Sequence, residues 1–460
     1  MKLRRIETPS PRAGYVAGEG FTTCMLHHGH KLDTDNRARA PPIFQTTSFE
    51  FKSAEHGGAL FELSQLGPIY TRLMNPTTHV LEYKVAKLEG APCKAHGDCD
   101  NATTLPNALA VASGQSAQMH ALLTFMSSGD NFVASSELYG GTYTQFKYSF
   151  ANLGIEARFV DPADPENFRK ATDDKTRAYY GETLANPKLR IFPIAEVAAI
   201  GRELGVPLIM DNTAAPTLCQ PIALGAAVVI YSLTKYIGGH GTSIGGMLID
   251  GGNFDWDAHA ERFPLLTQPD PSYHGAVWTA AAKGLGAPIA YILKARVTML
   301  RDMGQALSPF NAWMFIQGLE TLPLRMREHC RNGEAVAKYL EAHPKVAKVI
   351  YPGLEKDAAI RARNESAITG GWGGLIGFEV AGGAEQGAKF IDGLKLLYHV
   401  ANIGDARSLA IHPWSTTHQQ LSDEEKVAAG VTAGYVRLSI GIEHIDDIIA
   451  DIDQALAALG

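Results

Sequence analysis

Val228–Gly246 reads VVIYSLTKYIGGHGTSIGG. The apolar run Val228–Tyr231 predicts a short buried strand. It ends on Ser232, Thr234 and Lys235, and glycines follow at once. A strand that stops on hydroxyls and one lysine presents them at the mouth of a sheet. A lysine held there loses solvation and can serve as an amine nucleophile. The glycines let the chain turn sharply and lie close against a ligand. A lone lysine after a strand is more often just a surface side chain, so its company in the sequence decides. The glycine run Gly239–Gly245 lacks the Lys-Ser/Thr that ends a nucleotide P-loop, and Lys235 precedes the glycines instead of following them.

Outward from this stretch, residues 108–250 alternate short apolar runs with helical patterns. Strands are predicted at Asn131–Ser135, Ile155–Val160, Arg177–Tyr180, Pro207–Met210 and Gly246–Asp250. Helices are predicted at Gln118–Phe125, Gly141–Leu153 and Pro193–Leu204. The alternation argues for an α/β domain on a mostly parallel sheet, which binds ligands beyond the carboxyl ends of its strands. Polar residues stand there. Asp211 follows Leu208-Ile209-Met210, where a carboxylate can pair with a protonated ring nitrogen or cap a helix. Tyr139 can stack on a flat ring or fill core. Asn186, before Pro187, can donate to a ring oxygen or make a turn. Ser113-Gly114-Gln115 opens a helix, whose first N–H groups suit an anion.

Taken singly, each residue is better explained by its structural use. Jointly, they stand in the order and near the separations of one known family. Ser-Leu-Thr-Lys-Tyr-Ile-Gly-Gly-His-Gly, residues 232–241, resembles the pyridoxal-phosphate lysine motif of the Cys/Met-metabolism enzymes, and the chain most resembles their O-acetylhomoserine sulfhydrylase branch. The resemblance covers nearly all of residues 21–460. It implies a fold-type-I large domain with a mostly parallel sheet and a smaller α+β C-terminal domain. The implied divisions are an N-terminal arm (1–75) that contributes to a neighbouring subunit, a cofactor domain (76–305) and a small domain (306–460).

The resemblance also assigns roles. Lys235 would carry the cofactor aldehyde. Gly114, Gln115, Ser232 and Thr234 would hold its phosphate. Tyr139, Asn186, Asp211 and Thr213 would surround its ring. Tyr70 and Arg72, in Tyr70–Thr77, look like the pair that reaches the phosphate across a dimer interface; an Arg before Asn-Pro otherwise marks a turn. Arg437, in Tyr435–Glu443, is placed like the arginine that grips a substrate α-carboxylate, and a solvent-facing strand arginine is the plain alternative. Ser408, in Asn402–Leu409, would join it at the substrate. Lys235, Tyr139 and Tyr70 are the implied acid–base set. The implied reaction is γ-substitution on an O-acylhomoserine by sulfide or a small thiol. Elimination of the methionine γ-lyase type is the alternative; position 141 is Gly, where that lyase carries a reactive Cys. A cofactor-binding protein without catalysis is a third reading, opposed by Lys235, Asp211 and Arg437 occurring together.

Two departures from the family stand out. Ala91–Asn107 is an insertion; Cys93, His96, Cys99 and Asp100 within it do not match a usual zinc spacing, so an exposed polar loop is expected and no metal. Trp414 replaces a small residue in Ile411–His418. Elsewhere, Pro76–Leu88 reads as a helix, residues 21–65 as an extended segment and Gly251–Ala282 as irregular. Further helices are expected at Tyr291–Ala306, Asn311–Glu320 and Cys330–Ala342, with strands at Val346–Tyr351 and Leu375–Val380.

Composition bounds the partners. The 460 residues are 45% hydrophobic and 19% charged, with net charge −7, so neither nucleic acid nor an anionic membrane is an expected partner. No run approaches the apolar length of a membrane span. The basic N-terminus, residues 1–15, lacks the apolar core of a secretory signal. Five scattered cysteines suit a reducing cytoplasm. The family resemblance implies a homo-oligomer, a dimer with shared sites and typically a tetramer.

Overall fold

The computed structural model describes residues 20–30, 36–92, 104–417, 419, 422–428 and 430–459. The expected polar arm before residue 20 and the Cys93, His96, Cys99 and Asp100 group lie outside the described residues.

Seven strands arise between residues 108 and 250: β1 (Ala108–Val111), β2 (Asn131–Ser135), β3 (Glu156–Val160), β4 (Thr176–Glu182), β5 (Leu208–Asp211), β6 (Val228–Ser232) and β7 (Gly246–Asp250). Five more follow: β8 (Val346–Ile350), β9 (Leu375–Val380), β10 (Tyr398–His399), β11 (Leu409–Ile411) and β12 (Tyr435–Ser439). The chain forms two compact units. One takes Met1–Met126, Gln220–Leu233 and Ser243–Glu320, the other Ser127–Cys219, Thr234–Thr242 and Thr321–Gly460.

In the first unit β7 lies between β1 and β6, antiparallel to both. These strands are wholly apolar over most of their length because both faces are covered, as the unbroken run at Val228 predicts. The helix Pro76–Glu89 follows its sequence signals. Asn75 Oδ1 accepts from Thr77 N at 2.9 Å, Pro76 fills the first turn, and Gly90 closes it at φ 73°. Residues 21–65 are not wholly extended: Phe21–His27 and Ala54–Phe61 are helical. Seven and eight residues are too few for a helical period to stand out in sequence.

In the second unit every ladder among β2–β5 is parallel, with β2 between β3 and β4, and β4 beside β5. Helix Ile194–Leu204 ends at Gly205, φ 67°. The parallel strands bring their carboxyl ends to one edge, where Glu182 pairs in register with Asp211. A separate sheet, ordered β10-β11-β12-β9-β8, forms the C-terminal part. Its core joins Phe378, Val436 and Leu438 to Phe390, Ile448 and Ile452 from helices Gly383–Gly393 and Ile445–Ala457.

Two helix expectations change. The segment from Tyr291 stops at Met303, before Gly304, and carries a π-helical turn at Ala295–Leu300. Asn311–Glu320 and Cys330–Ala342 belong to one helix, Pro309–Ala342, with Pro323 inside it. A helix-interior proline removes a hydrogen bond and usually breaks the pattern; here buried Leu319, Leu322 and Met326 keep the flanking turns packed.

Candidate active site

Lys235 stands three residues beyond the end of β6, in a turn closed by Gly239 N donating to Lys235 O at 2.8 Å. The turn is braced from behind. Arg325 donates to Tyr236 O at 2.7 Å and to Ile237 O at 3.2 Å. Gly239 has φ +72°, and a Cβ there would lie 2.3 Å from the Arg325 guanidinium. Only glycine fits both demands. The Lys235 amine donates to Asn402 Oδ1 at 2.6 Å. Burial, and then the positive charge of Arg437, push the amine down to about 8. It is therefore a far better nucleophile near neutral pH than an exposed lysine.

Arg437 lies on β12 and is only 8% exposed, so it is no solvent-facing strand residue. Its Nη1 donates to Asn186 Oδ1 at 3.3 Å and its Nη2 to Asn402 O at 3.1 Å. Its buried Nε has no protein partner. Burial lowers its pKa. A buried guanidinium with an unsatisfied donor suits a carboxylate.

At the strand edge, Asp211 Oδ1 accepts from Thr213 N at 2.9 Å, which fixes the carboxylate in a turn. Beside it, burial and then the Asp211 charge hold the Glu182 carboxyl well above the usual range. Glu182 Oε1 accepts from Tyr139 N at 2.8 Å. Glu182 thereby ties the Tyr139 segment to the Asp211 edge. The Tyr139 ring is half exposed, and a Cβ on Gly141 would lie 2.5 Å from its Cε1. Thr234 is next to Lys235 in the chain. Ser408 is fully buried; its hydroxyl donates to Glu443 Oε2 at 2.9 Å and accepts from Gly441 N at 2.8 Å. That hydroxyl is engaged by the segment that follows β12. Trp414 packs under the Lys426 ammonium, 4.4 Å from its ring centre.

The first unit holds the remaining predicted residues. Ser113 caps helix Gly114–Leu123 through Ser116 N at 3.1 Å. A Cβ at Gly114 would come 2.8 Å from Ser232 Cβ, and one at Gly246 would come 2.0 Å from Ser113 O. The two glycines let the helix N-terminus close onto the end of β6. Gly114 and Gln115 thus share one place with Ser232. Tyr70 pairs with Ser48 in a β-bridge, and the exposed Arg72 guanidinium lies 5.5 Å from the Tyr70 ring centre, with a hydrogen bond to Arg301 O.

Sequence reasoning missed Glu182, Asn402 and Arg325 as site residues. Glu182 had a legible signal, a carboxylate at the end of an apolar strand. Asn402 opens the family-like stretch Asn402–Leu409, but nothing there points to Lys235, and Arg325 had no signal, because each acts on a turn far away in the chain.

The arrangement is that of an α/β protein with a partly desolvated lysine and a buried arginine held by one loop. Residues 22–457 match the family described as Cys/Met metabolism PLP-dependent enzyme. The chain belongs to that family. It is 53% identical over 439 residues to an O-acetyl-L-homoserine sulfhydrylase of Leptospira meyeri, covering 94% of this chain and 96% of that one. It is 44% identical over 443 residues to a homocysteine synthase of Schizosaccharomyces pombe, covering 96% and 99%. A Campylobacter jejuni structure described as an O-acetylhomoserine (thiol)-lyase, carrying a pyridoxyl-lysine phosphate, superposes with TM-score 0.87 at 38% identity, covering 95% of this chain and 100% of that one. Among the described residues no helix is long and apolar enough to cross a membrane.

Proposed function

We propose that the protein catalyses γ-substitution on an O-acylhomoserine, chiefly O-acetylhomoserine, with sulfide or a small thiol as nucleophile and homocysteine as the sulfide product. The observation that carries this reading is the half-buried Lys235 amine beside Arg437, with the unpartnered Arg437 Nε available to a carboxylate. The names of the relatives at 44% and 53% identity support the substrate and product.

The residues fit pyridoxal phosphate. The helix N-terminus at Gly114 and Gln115, with Ser232 and Thr234, suits the phosphate. Tyr139 suits one ring face, Asp211 and Thr213 the pyridine edge, and Asn186 the ring oxygen. Bound there, the cofactor supplies an aldehyde for an amine and an electron sink. Arg437 and Asn186 hold the substrate carboxylate, and the Ser408 loop supports them. Lys235 removes the Cα proton and returns protons at the end of turnover. Tyr139 is its acid–base partner. Tyr70 and Arg72 serve the site of a neighbouring copy, so that a dimer is the smallest active form, and dimers pair into a tetramer. The arm (1–75), cofactor domain (76–305) and small domain (306–460) are the functional divisions, and the compartment is the cytoplasm.

Product analysis with O-acetylhomoserine, with and without sulfide, tests the reading. Homocysteine that forms only with sulfide, and not in Lys235→Ala, is expected. Equal 2-oxobutyrate in both tubes would replace substitution by elimination. Bound cofactor with no turnover on any ester would point to a non-catalytic role.

A further inference from the structure

We propose that Asn402 is the positioning residue of this site, aiming the Lys235 amine through its side-chain oxygen and anchoring Arg437 through its main-chain carbonyl. The proposal rests on the reading of Lys235 and Arg437 given above. One residue touches both: Lys235 Nζ lies 2.6 Å from Asn402 Oδ1, and Arg437 Nη2 lies 3.1 Å from Asn402 O.

The loop that carries Asn402 is itself held against both elements. Gly404 N donates to Ser439 Oγ, on β12, at 2.9 Å. Ala406 N donates to Gly239 O, in the lysine turn, at 2.8 Å. Gly404 has φ +71°, and a Cβ there would lie 2.6 Å from Tyr236 N. Any side chain at 404 would push the loop off the lysine turn. Asn402 is thus fixed relative to the base and to the clamp at once.

The chemistry favours an amide. A neutral carbonyl oxygen accepts from an amine in either protonation state, so it directs Lys235 without locking a proton onto it. A carboxylate at the same place would stabilise the ammonium and remove the nucleophile. The charged group facing Lys235 is Arg437, from β12. Around Arg437 stand the phenols of Tyr435, Tyr139 and Tyr236. An acid at 402 would therefore be the one carboxylate added to a cationic and phenolic surrounding.

The test uses the full chain with two substitutions, Asn402→Asp and Asn402→Ala. The first readout is pyridoxal phosphate trapped on Lys235 by borohydride and located by peptide mass, as a function of pH. Asn402→Asp should move the trapping midpoint up by about one to three pH units and regain the wild-type extent at high pH. Asn402→Ala keeps the main-chain carbonyl that holds Arg437. Its KM for the homoserine ester should stay within about twofold while kcat falls about 100-fold, the usual effect of a misaimed group, and alkaline pH should not restore it. An unmoved midpoint in Asn402→Asp, or wild-type kcat in Asn402→Ala, would overturn the proposal. Should Asn402→Ala not fold, the near-isosteric Asn402→Asp decides alone. Trapping of the wild-type chain at a lysine other than 235 would sink the active-site reading first, and the proposal with it.

Discussion

Two lysines, the buried Lys84 and the half-buried Lys235, are both pushed down to about 8, chiefly by loss of solvent. Their surroundings differ. Lys84, on helix Pro76–Glu89, donates to Met25 O at 2.6 Å and Leu26 O at 2.9 Å, and Glu320 counters the burial. It closes the end of helix Phe21–His27, as a cation suits carbonyls there. Lys235 donates to a side-chain amide oxygen, Asn402 Oδ1, and the nearby charge is a like one, Arg437. The same depression thus belongs to a strut in one region and, on the proposed function, to a reagent in the other. The partner's chemistry separates them, not the size of the shift.

The sharpest way to break this comparison is chemical. Pyridoxal phosphate followed by borohydride should label Lys235 and not Lys84, read by peptide mass, and Lys235→Ala should lose at least about 1,000-fold in kcat. Labelling of both lysines would erase the distinction. Next, Arg437→Lys should cost about 100-fold in kcat/KM for the homoserine ester, because an ammonium cannot make the bidentate grip of a guanidinium. A loss confined to kcat, with KM unchanged, would argue that Arg437 does not hold the carboxylate.

Stability should then separate the lysines in opposite directions. Lys84→Met leaves two helix-end carbonyls without their donor and should destabilise the chain by about 2 kcal/mol in urea, with kcat per folded molecule unchanged. Lys235→Met should instead stabilise the apoprotein at pH 7 by about 1 kcal/mol, after a discount for the side chain's partial exposure. The folded amine binds its proton more weakly than the unfolded one. The folded chain therefore carries fewer protons between about 8 and the unfolded value. Wild-type stability rises with pH across that window, and the advantage of Lys235→Met should fade there. A gain that stays constant from pH 7 to 11 would rule out the buried charge as its source.

Much of this was legible before any coordinates. The strand ending at Ser232, the parallel strands around Asp211 and the capped helix at Pro76 follow from periodicity and caps, which are local properties. Lys235, Asp211 and Arg437 stand out in the sequence because their motifs are short and ordered along the chain. The braces do not. Arg325 acts on the lysine turn from a helix read as broken near Pro323, and Asn402 meets Lys235 across 167 positions. Asn402 stands in a recognisable motif, but neither residue's neighbours say which turn it meets. The Ser408 hydroxyl likewise meets Glu443 across 35 positions, a contact its own neighbours do not announce.

Arg437 lies in register with Gly377 on β9 and Ile411 on β11, at the centre of a five-stranded sheet. Its backbone amide should exchange with solvent deuterium only when the whole unit unfolds, unlike amides in fraying loops. The backbone that carries the Arg437 side chain is then as durable as the sheet itself, so that its place relative to β9 and β11 changes only with the domain. Preferences that vary among descendants of such a chain would have to arise in the loops around the site, where a substitution is survivable.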